Sequence, residues 1–343
     1  MSAFALIHFP GASDYTLFEQ TAGEPLELKS CEELSGRQGF VVAPFAPSSE
    51  HPILLIHPDR VSLHKLPEYQ QSTGHELPAV TSSPYLREAY HDIYTCFIKM
   101  LRGGRFDKLV LSRSIDIERT GEPEPVELFQ KACVVYPSMT VMMVSTKRSG
   151  LWLTVTPECL LTGDGTHWET VALAGTKVAS EKRGWSDKEI QEQRYVASYI
   201  IDSLSVWADE YAERGPKTVY AGHLAHLRSV FPFTMSETGN VGKLLESLHP
   251  TPAVCGVPKD EAFHFILGNE GHDRSYYSGF MGPFNLKSQT NLYVTLRCMQ
   301  ILGDRYRLYA GGGLLTDSDE EQEWLETEAK LDTMRALLIN RKS

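Results

Sequence analysis

The 343-residue sequence offers nothing that would staple a fold together. Its six cysteines, at positions 31, 96, 133, 159, 255 and 298, are scattered, with no CxxC pair and no tight Cys/His cluster. A disulfide framework and a structural zinc are therefore excluded, and the thiols read as reduced groups of a cytoplasmic protein. No apolar run approaches the length needed to cross a bilayer, and Met1 to Pro10 has no basic stretch followed by a long apolar one, so neither a membrane span nor a secretory signal is expected. Basic excess is missing too. The net charge is −11 and the pI near 5.6, which makes nucleic acid a poor partner because phosphate neutralisation needs a cationic surface. An anionic substrate would have to be held by a few specific cations. Nucleotide signatures are absent as well: Gly311-Gly312-Gly313 lacks GxGxxG spacing, and Gly239-Asn240-Val241-Gly242-Lys243 is not a P-loop.

What is present suits one large domain spanning 1–343. Hydrophobic residues at 42% and charged residues at 22% allow a substantial core. Residues 1–85 read as a β-rich opening segment, and Pro78 to Pro84 (PAVTSSP) as a seam within the domain. A helix-like stretch, Tyr85 to Leu101, follows. Lys108 to Arg113 alternates like a half-buried strand, with Lys108, Val110 and Ser112 on one face. Thr140 to Ser145 and Leu151 to Thr156 also read as strands. Ser186 is placed to cap a helix running to about Glu213. Leu292 to Leu302 and Arg305 to Ala310 read as a hairpin turned at Gly303-Asp304. Asp319 to Ile339 closes the chain as a helix. Hairpin-paired strands with helices set apart predict an α+β fold with antiparallel sheets.

Two helices each carry carboxylates three residues apart, Glu189 with Glu192 and Glu323 with Glu326. That spacing puts like charges on one helical face, where they repel. A hard divalent cation would relieve the repulsion, and Mg²⁺ favours a few carboxylates with water and substrate oxygens. A solvated acidic face is the competing account of each pair. Lys108, flanked by apolar residues, is costly to bury charged and so is a candidate base, against the alternative of an edge lysine reaching water. Glu158, beside Leu160 and Leu161 at a strand end, could be kept protonated as an acid, or be an exposed turn residue. Arg297, among Tyr293, Thr295 and hydrophobic neighbours, needs an anionic partner: a ligand carboxylate or a structural ion pair. Ala174-Gly175-Thr176 and the triple glycine let backbone N–H groups approach a ligand oxygen. His223 and His226 have metal-like spacing without a third ligand and read as structural.

The order and wording of these segments carry more than each alone. KLVLSR (108–113), TPECLL (156–161), ALAGT (172–176), KEIQEQ (188–193), LHPTPAVCGVP (248–258), YVTLRC (293–298), YAGGGLL (309–315) and EWLETEAKLDTM (323–334) resemble the chorismate-binding family over roughly 90–340. The resemblance implies a four-layer α/β/β/α sandwich of the anthranilate synthase component I type, with one site in a cleft. It implies Lys108 as the base that activates water for attack at C2 of chorismate and Glu158 as the acid for the departing C4 hydroxyl. Glu192 and Glu326 resemble direct Mg²⁺ ligands, with Glu189 and Glu323 holding its waters. Arg297 would grip the enolpyruvyl carboxylate. Lys330 and the amides of Gly311 and Gly313 would serve the ring carboxylate, with Gly175, Thr176, His249 and Tyr277 lining the pocket.

Within the family, Ala174 stands where aminodeoxychorismate synthases carry a nucleophilic lysine, and His249-Pro250-Thr251-Pro252-Ala253 departs from the HPTGT of anthranilate synthases. The wording resembles isochorismate synthases, an isomerase activity. Salicylate synthases are the alternative, and a non-catalytic aromatic-acid binder or anthranilate synthase is a more distant one. Isochorismate feeds menaquinone or siderophores. No glutaminase partner is expected, and a monomer is. Gln193 replaces the family's usual histidine after the metal carboxylate, and Gly312 a usual alanine.

Overall fold

The structure, a computed structural model, describes residues 3–67, 84–119, 123–236 and 240–338. Its strands in chain order are β1 (Ala3–His8), β2 (Asp14–Gln20), β3 (Leu26–Leu28), β4 (Gly39–Ala43), β5 (Ile53–Ile56), β6 (Arg60–Lys65), β7 (Lys108–Glu118), β8 (Thr140–Thr146), β9 (Gly150–Thr156), β10 (Cys159–Asp164), β11 (His167–Val178), β12 (Glu210–Tyr211), β13 (Arg214–Ala221), β14 (Leu224–Thr234), β15 (Gly256–Val257), β16 (Phe280–Phe284), β17 (Gln289–Val294), β18 (Cys298–Ile301) and β19 (Arg305–Leu314). The helices are α1 (Pro84–Arg102), α2 (Pro125–Val135), α3 (Asp187–Trp207), α4 (Val241–Leu248), α5 (Lys259–Asn269) and α6 (Glu320–Arg335).

Among the described residues the strands form two antiparallel sheets. The first runs β15-β7-β19-β18-β9-β8-β1-β2-β6, the second β12-β14-β11-β10-β17-β16-β4-β5-β3, with β13 paired to β14. Their facing surfaces share a core that includes Trp152, Tyr309, Phe40, Met281 and Tyr276. Alternation along each strand explains why the opposite faces are apolar too, since both sheets are covered outside. Helices α3 and α4 pack on the second sheet, and α1, α2, α5 and α6 on the first. This is the α+β, four-layer α/β/β/α arrangement. The N-terminal strands extend both sheets: β1, β2 and β6 join the first, β3, β4 and β5 the second. No described helix is long and apolar enough to cross a membrane.

Several elements differ from the expectation. The strand expected over 292–302 is two strands in different sheets. β17 pairs β10 and β16, whereas β18 pairs β9 and β19, and Thr295 to Arg297 carries the chain across, with Arg297 at φ 45°. A period-2 pattern continues through such a crossover, so the sequence hides it. Helix α3 ends at Trp207, not near Glu213, because the chain there turns into β12 beside β14. β7 is buried on both faces over Lys108 to Arg113, not half-buried, because α1 and α5 cover its outer side. Pro78 to Ser83 lies outside the described residues.

Trp152 fills the space between the sheets at 0% exposure, with its indole N–H donated to the Ser149 carbonyl at 2.8 Å. Trp152→Ala should therefore destabilise the protein by roughly 3–5 kcal/mol, read as a lower denaturation midpoint in urea at an unchanged slope.

Candidate active site

The site forms where the glycine end of β19 and the start of β7 meet the first turn of α3 and the flank of α6. In β19, Gly311 and Gly313 lie opposite Ser112 and Val110 of β7. Opposed residues in an antiparallel pair exchange either two hydrogen bonds or none. The Ser112 N–H goes to Glu270 Oε1 at 2.7 Å and the Val110 N–H to the Cys255 carbonyl at 2.7 Å. The pairs opposite Gly311 and Gly313 are thus the non-bonded ones. Both glycine N–H groups point to the open edge of β19, because β18 reaches only as far as Tyr309. The Gly311 carbonyl on that edge accepts from Lys330 Nζ at 2.8 Å.

A cleft at this edge is lined by Glu158, Glu192, Arg297, Lys330, Tyr277 and the two glycines, among others. Gly175 and Thr176 line it at a β-bulge of β11, where Gly175 takes φ 68°. Lys108 is 0% exposed and sits just behind the wall, its Nζ 3.0 Å from Glu192 Oε1. The lysine is thus neither an edge residue nor a lone amine among apolar groups. Gly313 makes the pair possible, because a Cβ there would collide with Glu192 and come within 2.9 Å of Lys108 Cε.

The two cleft glutamates titrate in opposite senses. Burial pushes Glu158 up to about 8, against the pull of Lys108, Lys330 and Arg297, and its Oε1 has no hydrogen-bond partner. Glu192 is also penalised by burial, but Lys108, Lys188 and Lys330 outweigh that and hold it below the usual carboxylate range. Glu158 is therefore a buried acid, not an exposed turn residue.

Arg297 is 6% exposed and has no carboxylate ion pair among the described residues. Its guanidinium instead donates to the Ala221 carbonyl at 3.0 Å and to His226 Nε2. Arginine can only donate, so His226 carries its proton on Nδ1, which donates to the Gly175 carbonyl at 3.1 Å. Burial and the neighbouring Arg297 and Lys330 charges keep His226 neutral, well below its ordinary pKa. The sequence leaves His226 as structural. It is the part that ties the arginine to the β11 bulge, and its place opposite Thr176 in the β11–β14 register was the only clue.

A second cleft shares Thr176 and Glu192 with the first and is lined by Lys188, Glu189, Glu323 and Glu326. α3 starts here with a capping box between Ser186 and Glu189. Glu189 spends its oxygens on that box and on a two-pronged pair with Arg183 at 2.7 and 2.8 Å. In this structure it caps the helix while lining the acidic cleft. Glu326 Oε1 accepts from Lys330 at 2.7 Å. Glu323 accepts from Lys188 and from Ser318 Oγ on one oxygen, while its buried Oε2 has no partner. Burial, then repulsion from Glu326, raises Glu323 to about 7 against Lys188. Gly312 faces this cluster: a Cβ there would sit 3.1 Å from Glu323 Oε2 and 3.7 Å from Glu326 Oε1.

Among the described residues no three Asp, Glu, His or Cys side chains form a ready-made cage. The chemistry still fits a divalent cation, because the donors are all carboxylate oxygens and one of them is buried and unsatisfied. His249 is placed differently from the expectation. It is buried behind the wall, its Nε2 3.0 Å from the Pro44 carbonyl and its ring edge-on to Phe280. Gln193 is turned away from the carboxylates. Its amide accepts from the Ala174 N–H at 2.8 Å and donates to the Ala172 carbonyl at 3.2 Å, fixing β11 beside the bulge.

Gly313→Ala should break the Lys108–Glu192 pair and leave a buried ammonium uncompensated. Chemical denaturation should show a loss of roughly 3 kcal/mol, whereas Gly303→Ala, with nothing within 4 Å of the new Cβ, should stay within about 0.5 kcal/mol of the parent.

Comparison with known proteins agrees with this arrangement. The family described as chorismate binding enzyme matches residues 56–339. Isochorismate synthase EntC of Escherichia coli (strain K12) is 29% identical over 239 residues, which cover 66% of this chain and 61% of that enzyme. The matched region therefore spans less than two thirds of that relative. MenF, the menaquinone-specific isochorismate synthase from Escherichia coli, has a similar structure, with a TM-score of 0.80 and 21% identity over 98% of this chain and 88% of that one. Anthranilate synthase component I from Streptococcus pneumoniae TIGR4 follows with a TM-score of 0.68 and 15% identity over 96% and 90%. At these identities the solved structures speak for the fold alone. The family match across 56–339, on a fold that unites the chemistry-bearing segments in one cleft, makes this chain a member of the chorismate-binding enzymes.

Proposed function

We propose that the protein is a Mg²⁺-dependent isochorismate synthase, adding water at C2 of chorismate with loss of the C4 hydroxyl. The observation that carries this reading is one cleft lined by a carboxyl kept neutral, a carboxylate with a buried lysine paired behind it, and a buried arginine with no carboxylate partner among the described residues. Chorismate is a dianion, and an acidic chain needs local cations to hold it. Arg297 takes the enolpyruvyl carboxylate, its fork held by His226 and the Ala221 carbonyl. Lys330 and the edge-facing N–H groups of Gly311 and Gly313 take the ring carboxylate.

The reaction is an isomerisation in which one water enters and one leaves, so it needs a base and an acid and no net proton. Lys108 in its neutral amine form removes the proton from the attacking water, and Glu158 delivers one to the departing hydroxyl. Glu192, Glu323 and Glu326 would hold Mg²⁺, which supplies charge neutralisation and positioning for the ring carboxylate. Support for the water route over an amine route comes from Ala174, whose side chain lines the cleft and offers no nucleophile.

Incubation of chorismate with the protein, with and without Mg²⁺, followed by chromatography tests the assignment. Isochorismate should accumulate only with Mg²⁺. Salicylate and pyruvate as main products would move the protein to the salicylate synthases, and untouched chorismate would end the catalytic reading. Lys108→Ala should lower kcat by at least about 10³-fold.

The acid assignment carries a pH signature. Glu158 must be protonated to act, so kcat/KM should fall as pH rises through about 8 and lose roughly tenfold per further unit. A raised carboxyl pKa favours the folded state at low pH and loses that contribution between its unfolded value and about 8. Glu158→Gln removes the penalty, so at alkaline pH it should melt a few degrees above the parent while showing no turnover. An alkaline limb that survives in Glu158→Asp at an unmoved position would point to another acid.

A further inference from the structure

Each carboxylate of the acidic cleft has a cation of the same chain beside it: Arg183 for Glu189, Lys108 for Glu192, Lys188 for Glu323 and Lys330 for Glu326. The pairs are not equivalent. Arg183 and Glu189 are close in sequence, and Lys330 and Glu326 are one turn apart on α6, so both are local. Lys108 ties β7 to α3, but its side chain is wholly buried behind the cleft wall. Lys188 joins α3 to α6, the two helices that carry the carboxylates, and its side chain keeps 24% exposure while Glu323 has 2%.

Glu323 is placed as a cation ligand in waiting. Its Oε1 is shared by Lys188 and Ser318, and its Oε2 is buried with no partner, facing Gly312 beside Glu326. A divalent cation within reach of Glu323, Glu326 and Glu192 would lie against the Lys188 ammonium, and two unscreened cations in a buried site repel strongly. Lysine is suited to leave. Its ammonium is strongly hydrated and rides on a flexible stem, unlike the fixed fork of an arginine.

We propose that Lys188 is a displaceable counter-ion, which holds α3 to α6 through Glu323 in the metal-free protein and is driven into solvent when a divalent cation binds. This rests on the divalent-cation site read under Proposed function. The device lowers metal affinity, because the ion pair must be broken first. In return the metal-free protein is not left with buried carboxylates facing one another uncompensated.

Calorimetric titration of MgCl₂ into metal-free protein without chorismate, paired with thermal melts in EDTA and in Mg²⁺, tests the idea. Lys188→Met should bind Mg²⁺ roughly tenfold more tightly than the parent. It should also melt lower in EDTA and gain more from Mg²⁺. Lys188→Arg, which keeps the charge, should stay within about threefold of the parent. Lys188→Gln gives the same comparison should the methionine variant fail to fold. Unchanged or weaker binding in the neutral variants overturns the proposal and makes Lys188 a fixture that orients Glu323. Absence of any Mg²⁺ heat or melting shift in the parent and all variants at millimolar Mg²⁺ overturns the cation site itself, a different failure.

Discussion

The rest of the site depends on the cost of bringing several carboxylates together out of water. Glu192, Glu323 and Glu326 come from two helices packed on different sheets; Glu323 is buried and the other two are only partly exposed. Desolvated like charges are tolerated only where cations sit among them. The chain supplies those cations from its own elements, and their placement decides the geometry: Lys108 from the buried start of β7, Lys188 from the first turn of α3, Lys330 from one turn beyond Glu326. The glycine run of β19 is the steric counterpart. With alternating side-chain directions, Gly311 and Gly313 clear the substrate side while Gly312 clears the carboxylate side. One strand therefore serves two clefts, and a side chain at any of the three positions would intrude on one of them.

A second constraint sits across the cleft. Arg297 lies where the chain leaves one sheet for the other, in the left-handed backbone region that non-glycine residues seldom adopt. Its guanidinium is buried on a carbonyl, a thioether and a neutral imidazole. Those partners orient the fork without neutralising it, and that is what a receptor for an anionic group requires. Had an aspartate or glutamate taken the place of His226, the same arginine would be a structural ion pair with nothing left to offer a ligand. His226 also reaches the Gly175 carbonyl, so the height of the β11 bulge and the aim of the arginine are set by one ring.

The chemistry-bearing residues were mostly legible in the sequence because each is marked by a conflict with its surroundings: a lysine opening an apolar strand, a glutamate beside two leucines, carboxylates repeating at helical spacing, three glycines where a strand should carry side chains. Arrangement was less legible. The crossover at Thr295 to Arg297 keeps the alternation of a single strand, so periodicity reads straight through it. The end of α3 was lost because residues 208–213 are polar enough to continue a helix, and only pairing with β14 makes them extended. Glu189 looked like a twin of Glu192 at i, i+3, but the Ser186 cap and Arg183 claim it, which needed the capping box to be recognised. His249 fell in a motif and turned out to brace the wall from behind. His226 reads only as structural in the sequence, because a histidine on a strand does not reveal what it ties together until its two neighbours are known.

Glu158 and Glu192 show how one residue type is given two jobs in a single cleft. Both are buried, so desolvation alone would make both weak acids. What separates them is the nearest cation. Lys108 is ion-paired with Glu192 at 3.0 Å and acts on Glu158 at longer range, and Lys188 adds to Glu192 alone. Glu192 stays ionised and can serve as a ligand for cations, while Glu158 keeps its proton near neutral pH and can serve only as a donor. A pair of like groups driven apart in this way marks divided labour, here between a proton donor and a cation ligand. The division is set in large part by strand register: moving β7 by one residue against β19 would turn Lys108 to the outer face, and Glu192 would lose the first of the cations that hold it ionised.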